Sequence, residues 1–152
     1  MNRIVFHDGV EIDNDPQRLD VSFIHDFLSN RSYWAPGRSM EKVKRSIQHS
    51  LCFGVYAKDG RQVGFARVIT DKTTFAWLCD LFIHSKIDLR EESQGKGLAK
   101  RLVETIVNHP DINALRRFML VTNDAHELYR KYGGFKELHS TEECMELFKT
   151  EL

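Results

Sequence analysis

From Leu98 onward the apolar positions fall at 98, 99, 102, 103, 106 and 107, a stripe down one face of a helix. Lys100, Arg101, Glu104, Thr105 and Asn108 take the opposite face, and His109-Pro110 stops the helix. Earlier in the chain, Ile4, Phe6, Val10 and Ile12 alternate loosely, predicting one or two short strands around a turn at Asp8-Gly9. Asp13-Asn14-Asp15-Pro16 reads as a turn, and Asp20 as the cap of a helix through Leu28 with Val21, Ile24, Phe27 and Leu28 inward. After the aromatic and basic loop 32–38, Ser39 can cap a second helix carrying Met40, Val43, Ile47 and Leu51 on one side. The period then shortens to two. Residues 52–57 and 62–69 are strands joined at Asp59-Gly60, and residues 75–83 form a third, interrupted by Asp80. Beyond the long helix come a short buried strand at 118–121 and a helix capped by Asp124 and running to about Tyr132. The tail, 135–148, has room for one or two strands. This order predicts an α+β fold around one sheet.

At 152 residues the chain is expected to be one domain, 1–152, with a core of ordinary size. Its 22 Lys and Arg balance 22 Asp and Glu, so no global field favours nucleic acid or an acidic membrane. Cys52, Cys79 and Cys144 are an odd set without metal-ligand spacing, two of them within apolar runs. They read as reduced and mostly buried thiols. The seven histidines are scattered, so no metal site is expected. No apolar run approaches a membrane span and no signal peptide opens the chain, which makes a soluble cytoplasmic protein the expectation.

The helix at 98 is preceded by Gln94-Gly95-Lys96-Gly97. Glycines at 95 and 97 let a ligand approach the backbone, and the first-turn N–H groups with the helix dipole make an anion seat. Lys96, Lys100 and Arg101 add positive charge. Glycine also serves ordinary tight turns, so this stretch alone leaves both readings open. A Walker A loop is excluded, because Leu98 stands where Ser or Thr would bind the metal; a dinucleotide fingerprint is excluded by the missing third glycine and the position past mid-chain.

Gln94-Gly95-Lys96-Gly97-Leu98-Ala99 resembles the Gln/Arg-x-x-Gly-x-Gly/Ala signature of the GCN5-related N-acetyltransferases (GNAT). Asn123, Leu128-Tyr129 and Gly134-Phe135 resemble that superfamily's second signature, with one glycine more at Gly133 than the common ending. The resemblance runs from about Asp20 to Phe135, and Tyr33-Trp34-Ala35-Pro36-Gly37-Arg38-Ser39 is similar to a bacterial branch of small uncharacterised members. It implies a twisted, mostly antiparallel sheet flanked by helices, and transfer of an acetyl group from acetyl-coenzyme A to a primary amine of a small molecule or peptide. The rival is a coenzyme-binding regulatory module without catalysis.

The resemblance also distributes roles. The backbone from Gln94 to Ala99, with Lys100, would hold the pyrophosphate, and the Leu81-Phe82-Ile83 backbone would pair with the pantetheine arm. Asn123, Leu128 and Lys131 would add coenzyme contacts, and Tyr129 would be the general acid beside the sulfur. Asp80, an acid in an apolar strand, is the candidate base, with Glu91 and Glu92 as rivals. Trp34 and Arg38 flank the Pro-Gly turn where the acceptor site of the family lies. The polar connection 84–93 is longer than usual and is expected to shape the acceptor pocket or a homodimer contact. The three cysteines offer no partner for a covalent relay, so direct attack in a ternary complex is expected.

Overall fold

The computed structural model describes residues 2–84 and 94–150, with the backbone alone for 94–96. Its elements are β1 (Arg3–Val5), β2 (Glu11–Asp13), α1 (Val21–Arg31), α2 (Met40–Gln48), β3 (Leu51–Tyr56), β4 (Gln62–Thr70), β5 (Phe75–Ile83), α3 (Gln94–Val107), β6 (Arg117–Leu120) and α4 (His126–Gly133). The six strands form one sheet in chain order. Every neighbouring pair is antiparallel except β5 and β6, which run parallel on either side of α3. This is the mixed α+β, mostly antiparallel architecture.

Local chemistry starts both early helices. The Asp20 carboxylate accepts from Phe23 N–H at 3.0 Å and the Ser39 hydroxyl from Lys42 N–H at 3.2 Å. Each sheet face carries its own core. On one, Leu98, Leu102, Val103 and Ile106 of α3 pack over Val55, Val63, Val68 and Leu78 with Tyr129 of α4. On the other, Ile24 and Leu28 of α1 and Val43 of α2 cover Cys52, Phe65 and Phe82. Phe82 stacks on Phe27 at 3.8 Å between ring centroids.

Three details differ from the sequence reading. The last helix begins at His126 with Ala125 as its cap residue and no side-chain cap, so Asp124 is not the cap. Its turn is closed earlier, where the Thr122 hydroxyl accepts from Ala125 N–H at 3.1 Å. The tail carries a 3-10 turn at Thr141–Glu143 but no strand among the described residues: it forms no ladder with the outer edge of β6. Cys144 is exposed, whereas Cys52 is buried and Cys79 half-buried. The expectations for 85–93, including Glu91 and Glu92, and for the Gln94, Gly95 and Lys96 side chains lie outside the described residues.

Two glycines close α4. Gly134 takes φ +73°, and its N–H bonds the Arg130 carbonyl while Phe135 N–H bonds that of Tyr129. At Gly133 a Cβ would lie 2.7 Å from the Phe135 ring and 3.0 Å from Val103, so the extra glycine lets α4 pack closely.

Candidate active site

β5 and β6 pair from Phe75 opposite Arg117 to Leu78 opposite Leu120; β6 then ends while β5 continues to Ile83. Beyond Leu78 the β6-facing edge of β5 makes no backbone hydrogen bond among the described residues. The parting strands open a cleft of about 260 Å³ lined by Tyr33, Trp34, Trp77, Asp80, Leu81 and Tyr129, with Asn123 and Leu128 at its border.

One wall is organised by Asp80. Between Phe65–Phe82 and Arg67–Cys79 the β4–β5 register slips, so β5 carries an extra residue, and Asp80 sits there with φ +53°. A short polar side chain tolerates this left-handed backbone better than a branched one would. The bulge turns the carboxylate onto the α1–α2 face, where it is 4% exposed. Oδ1 accepts from the Trp34 indole N–H at 2.9 Å, and Oδ2 from Arg38 at 2.8 Å and Arg67 at 2.9 Å. Arg67 also donates to the Ser50 hydroxyl at 3.1 Å. Burial works against the Arg67 charge, but Cys79 and Asp80 outweigh it and hold the guanidinium protonated more firmly than usual. The loop 32–39 is thus bonded to the cleft floor. It also reaches across the gap, where the Tyr33 hydroxyl accepts from Asn123 N–H at 3.0 Å.

The other wall leaves its polar groups free. Tyr129 is buried on α4, and its hydroxyl has no hydrogen-bond partner among the described residues. Burial, reinforced by Tyr33 and Asp124, pushes it up to about 12, so it keeps its proton at any physiological pH. At the start of α3, among the described residues a Cβ on Gly97 would meet only the Arg101 guanidinium, at 3.7 Å. Among the described residues, packing therefore does not require glycine there. Lys100 and Lys131 lie 5.2 Å and 5.5 Å from the ring centre of Tyr132, which places two more of the expected contacts beside each other.

The structure brings Trp34, Asp80, Leu81, Asn123, Leu128 and Tyr129 to one cleft, with Arg38 behind Asp80. The side chains of Phe82 and Leu98 belong to the two cores and Ile83 packs beside one of them, leaving only their backbone for a ligand. Tyr33, Arg67 and Trp77 were missed. Arg67 had a signal: it is a lone cation in an apolar strand, paired through a hairpin with the strand of Asp80. Among the described residues no three His, Cys, Asp or Glu side chains are grouped to hold a metal, and no helix is long and apolar enough to cross a membrane.

A helix opening beside a strand pair that parts into a cleft suggests an acyltransferase-like fold, and comparison with known proteins agrees. The acetyltransferase (GNAT) domain pattern matches residues 49–137. A crystallised Xanthomonas campestris pv. campestris protein placed in the GNAT family is 42% identical, with 96% of each chain covered and a TM-score of 0.83. A Gibberella zeae protein whose name assigns it to the acetyltransferases is 29% identical over 83% of this chain and 78% of its own length. Glucosamine-6-phosphate N-acetyltransferase of Arabidopsis thaliana shares the fold at a TM-score of 0.60 and 14% identity, covering 92% of this chain and 97% of that one. The chain belongs to the GNAT acetyltransferase family.

Proposed function

We propose that this chain is a single-domain, acetyl-coenzyme A-dependent N-acetyltransferase acting on a primary amine of a small molecule or peptide. The observation that carries this reading is the unpartnered, proton-retaining Tyr129 hydroxyl in the gap between β5 and β6. When bound, acetyl-coenzyme A supplies the activated acyl group. The α3 first-turn amides at 94–99, with Lys100 and Lys131, would hold its phosphates. The free β5 edge at Leu81–Ile83, with Asn123 and Leu128, would hold its arm in the manner of an added strand.

Tyr129 holds the proton needed at the departing sulfur. A free thiol titrates near 8.5, so outright transfer from a hydroxyl near 12 would be uphill by about 5 kcal/mol. A hydrogen bond to the developing charge carries no such cost. Tyr129 therefore donates a hydrogen bond first and gives up its proton only as the attacking amine releases one. Asp80 retains one lone-pair site on Oδ1 that could receive that proton, but three of its roughly four sites are committed. Its first role is to position Trp34 and Arg38, which would face the acceptor. Direct attack is favoured because burial pushes Cys52 up to about 12 and Cys79 up to about 11, leaving neither as a ready nucleophile.

Calorimetry with acetyl-coenzyme A, followed by thiol release across a panel of amines, tests the reading. Binding with amine-dependent thiol release is expected. Binding without release from any amine would favour the regulatory module, and no binding would remove the coenzyme assignment.

A further inference from the structure

The cleft carries charge of one sign. Among the described residues no lysine, arginine or histidine lines it; its charged side chains are Asp80 and Asp124, set among the rings of Tyr33, Trp34, Trp77 and Tyr129. The two acids differ. Asp80 is committed, with Arg38 and Arg67 on one oxygen and the Trp34 N–H on the other. The exposed Asp124 carboxylate makes no hydrogen bond or ion pair among the described residues, and it does not cap α4, because Thr122 closes that turn. The rings carry a second observation. Tyr33 stands edge-on to Trp34 at 5.0 Å and 83°, and both are pinned, Tyr33 by Asn123 N–H and Trp34 by Asp80. Both are nevertheless exposed, Tyr33 by 50% and Trp34 by 37%. An indole whose N–H donates to a carboxylate is polarised towards higher electron density, and an electron-rich ring face attracts a cation.

We propose that Asp124 selects acceptors carrying a second positive charge, an alkyl diamine being the simplest, and holds that charge beside the faces of Trp34 and Trp77. This rests on the acyl-transfer reading of the cleft. The attacking nitrogen has to be neutral, and a carboxylate beside it would keep it an ammonium. The charge suited to Asp124 is therefore one that persists through the reaction. Position agrees. Asp124 precedes α4, whereas Tyr129 lies within it, about one helical turn or roughly 5 Å further in. Two nitrogens on a short alkyl chain span that separation, with Leu81 and Leu128 beside the methylenes. Arg38 and Arg67 lie outside this lining, so an acceptor bearing a carboxylate or phosphate would meet two acids and no cation there. A monoamine would leave Asp124 without a partner.

The test is the initial rate of thiol release by the full chain with saturating acetyl-coenzyme A and four amines. Diaminobutane carries the second cation, butylamine lacks it, aminobutyrate replaces it with an anion, and phenylethylamine with a flat uncharged ring. Wild type should favour diaminobutane over butylamine by about tenfold or more in kcat/KM, with aminobutyrate last. Asp124→Asn should bring diaminobutane down to the level of butylamine by raising its KM while kcat stays within about twofold, and Asp124→Glu should restore most of the preference. Asp124 caps no helix, so both variants should melt as wild type does. Release without a preference for diaminobutane, phenylethylamine ahead of it, or a preference that Asp124→Asn leaves intact would overturn this inference and leave acyl transfer standing. Release from no amine would overturn the acyl-transfer reading and this inference with it.

Discussion

The two walls of the cleft use polar groups in opposite ways. On the α1–α2 side every buried charge is matched: Asp80 meets Trp34, Arg38 and Arg67, and Arg67 goes on to Ser50. On the α3–α4 side the Tyr129 hydroxyl opens into the cleft without a hydrogen-bond partner among the described residues. Buried polar groups are normally partnered. The wall whose bonds are complete reads as scaffold, and under the proposed function the open wall is the one that would bind the coenzyme. Residue type alone would have given Asp80 and Tyr129 similar standing.

Substitutions can break this contrast. Asp80→Ala removes the buried counter-charge of two half-buried guanidiniums and should cost about 3 kcal/mol of stability, read by denaturant unfolding. A loss below about 1 kcal/mol would mean the network is not structural. Tyr129→Phe should lower turnover by about a hundredfold or more while coenzyme affinity and melting temperature hardly change. A stability loss as large as that of Asp80→Ala would erase the distinction between the walls.

Alkali probes the core beneath α1 and α2. The Cys52 thiol is raised from 9 to about 12 by burial, so the unfolded chain loses this proton first as pH rises. The contribution is intact below about pH 9 and is lost progressively towards pH 12; at pH 10.5 it amounts to about 2 kcal/mol. Wild type should therefore lose more stability between pH 8 and 10.5 than Cys52→Ala, and equal losses would contradict the assignment. Gly97→Ala sharpens the open wall: helix stability should stay level or rise by up to about 1 kcal/mol, while calorimetric coenzyme affinity falls about tenfold. Smallest is Tyr33→Phe, which removes one acceptor for Asn123 N–H and should cost about 1 kcal/mol in unfolding experiments.

Much of this molecule could be read from local pattern. The Asp20 and Ser39 caps act within three residues, and the α3 stripe needs only its own period. The Asp59-Gly60 hairpin likewise sits where its turn residues say, with Gly60 at φ +90°. What escaped depends on partners far along the chain. The bulge at Asp80 arises from register against β4, and the carboxylate's donors come from positions 34, 38 and 67. Asp124 has the right chemistry for a cap, yet Thr122 closes the turn first. The alternation at 144–148 is strand-like, but alternation cannot supply the neighbour a strand needs.

The bond between Tyr33 and Asn123 spans the place where the strands part, so one loop touches both banks of the cleft. A molecule that stills this bridge from either bank spares the other part of the ordering entropy, so coenzyme and amine should bind synergistically, each raising the other's affinity by the same factor.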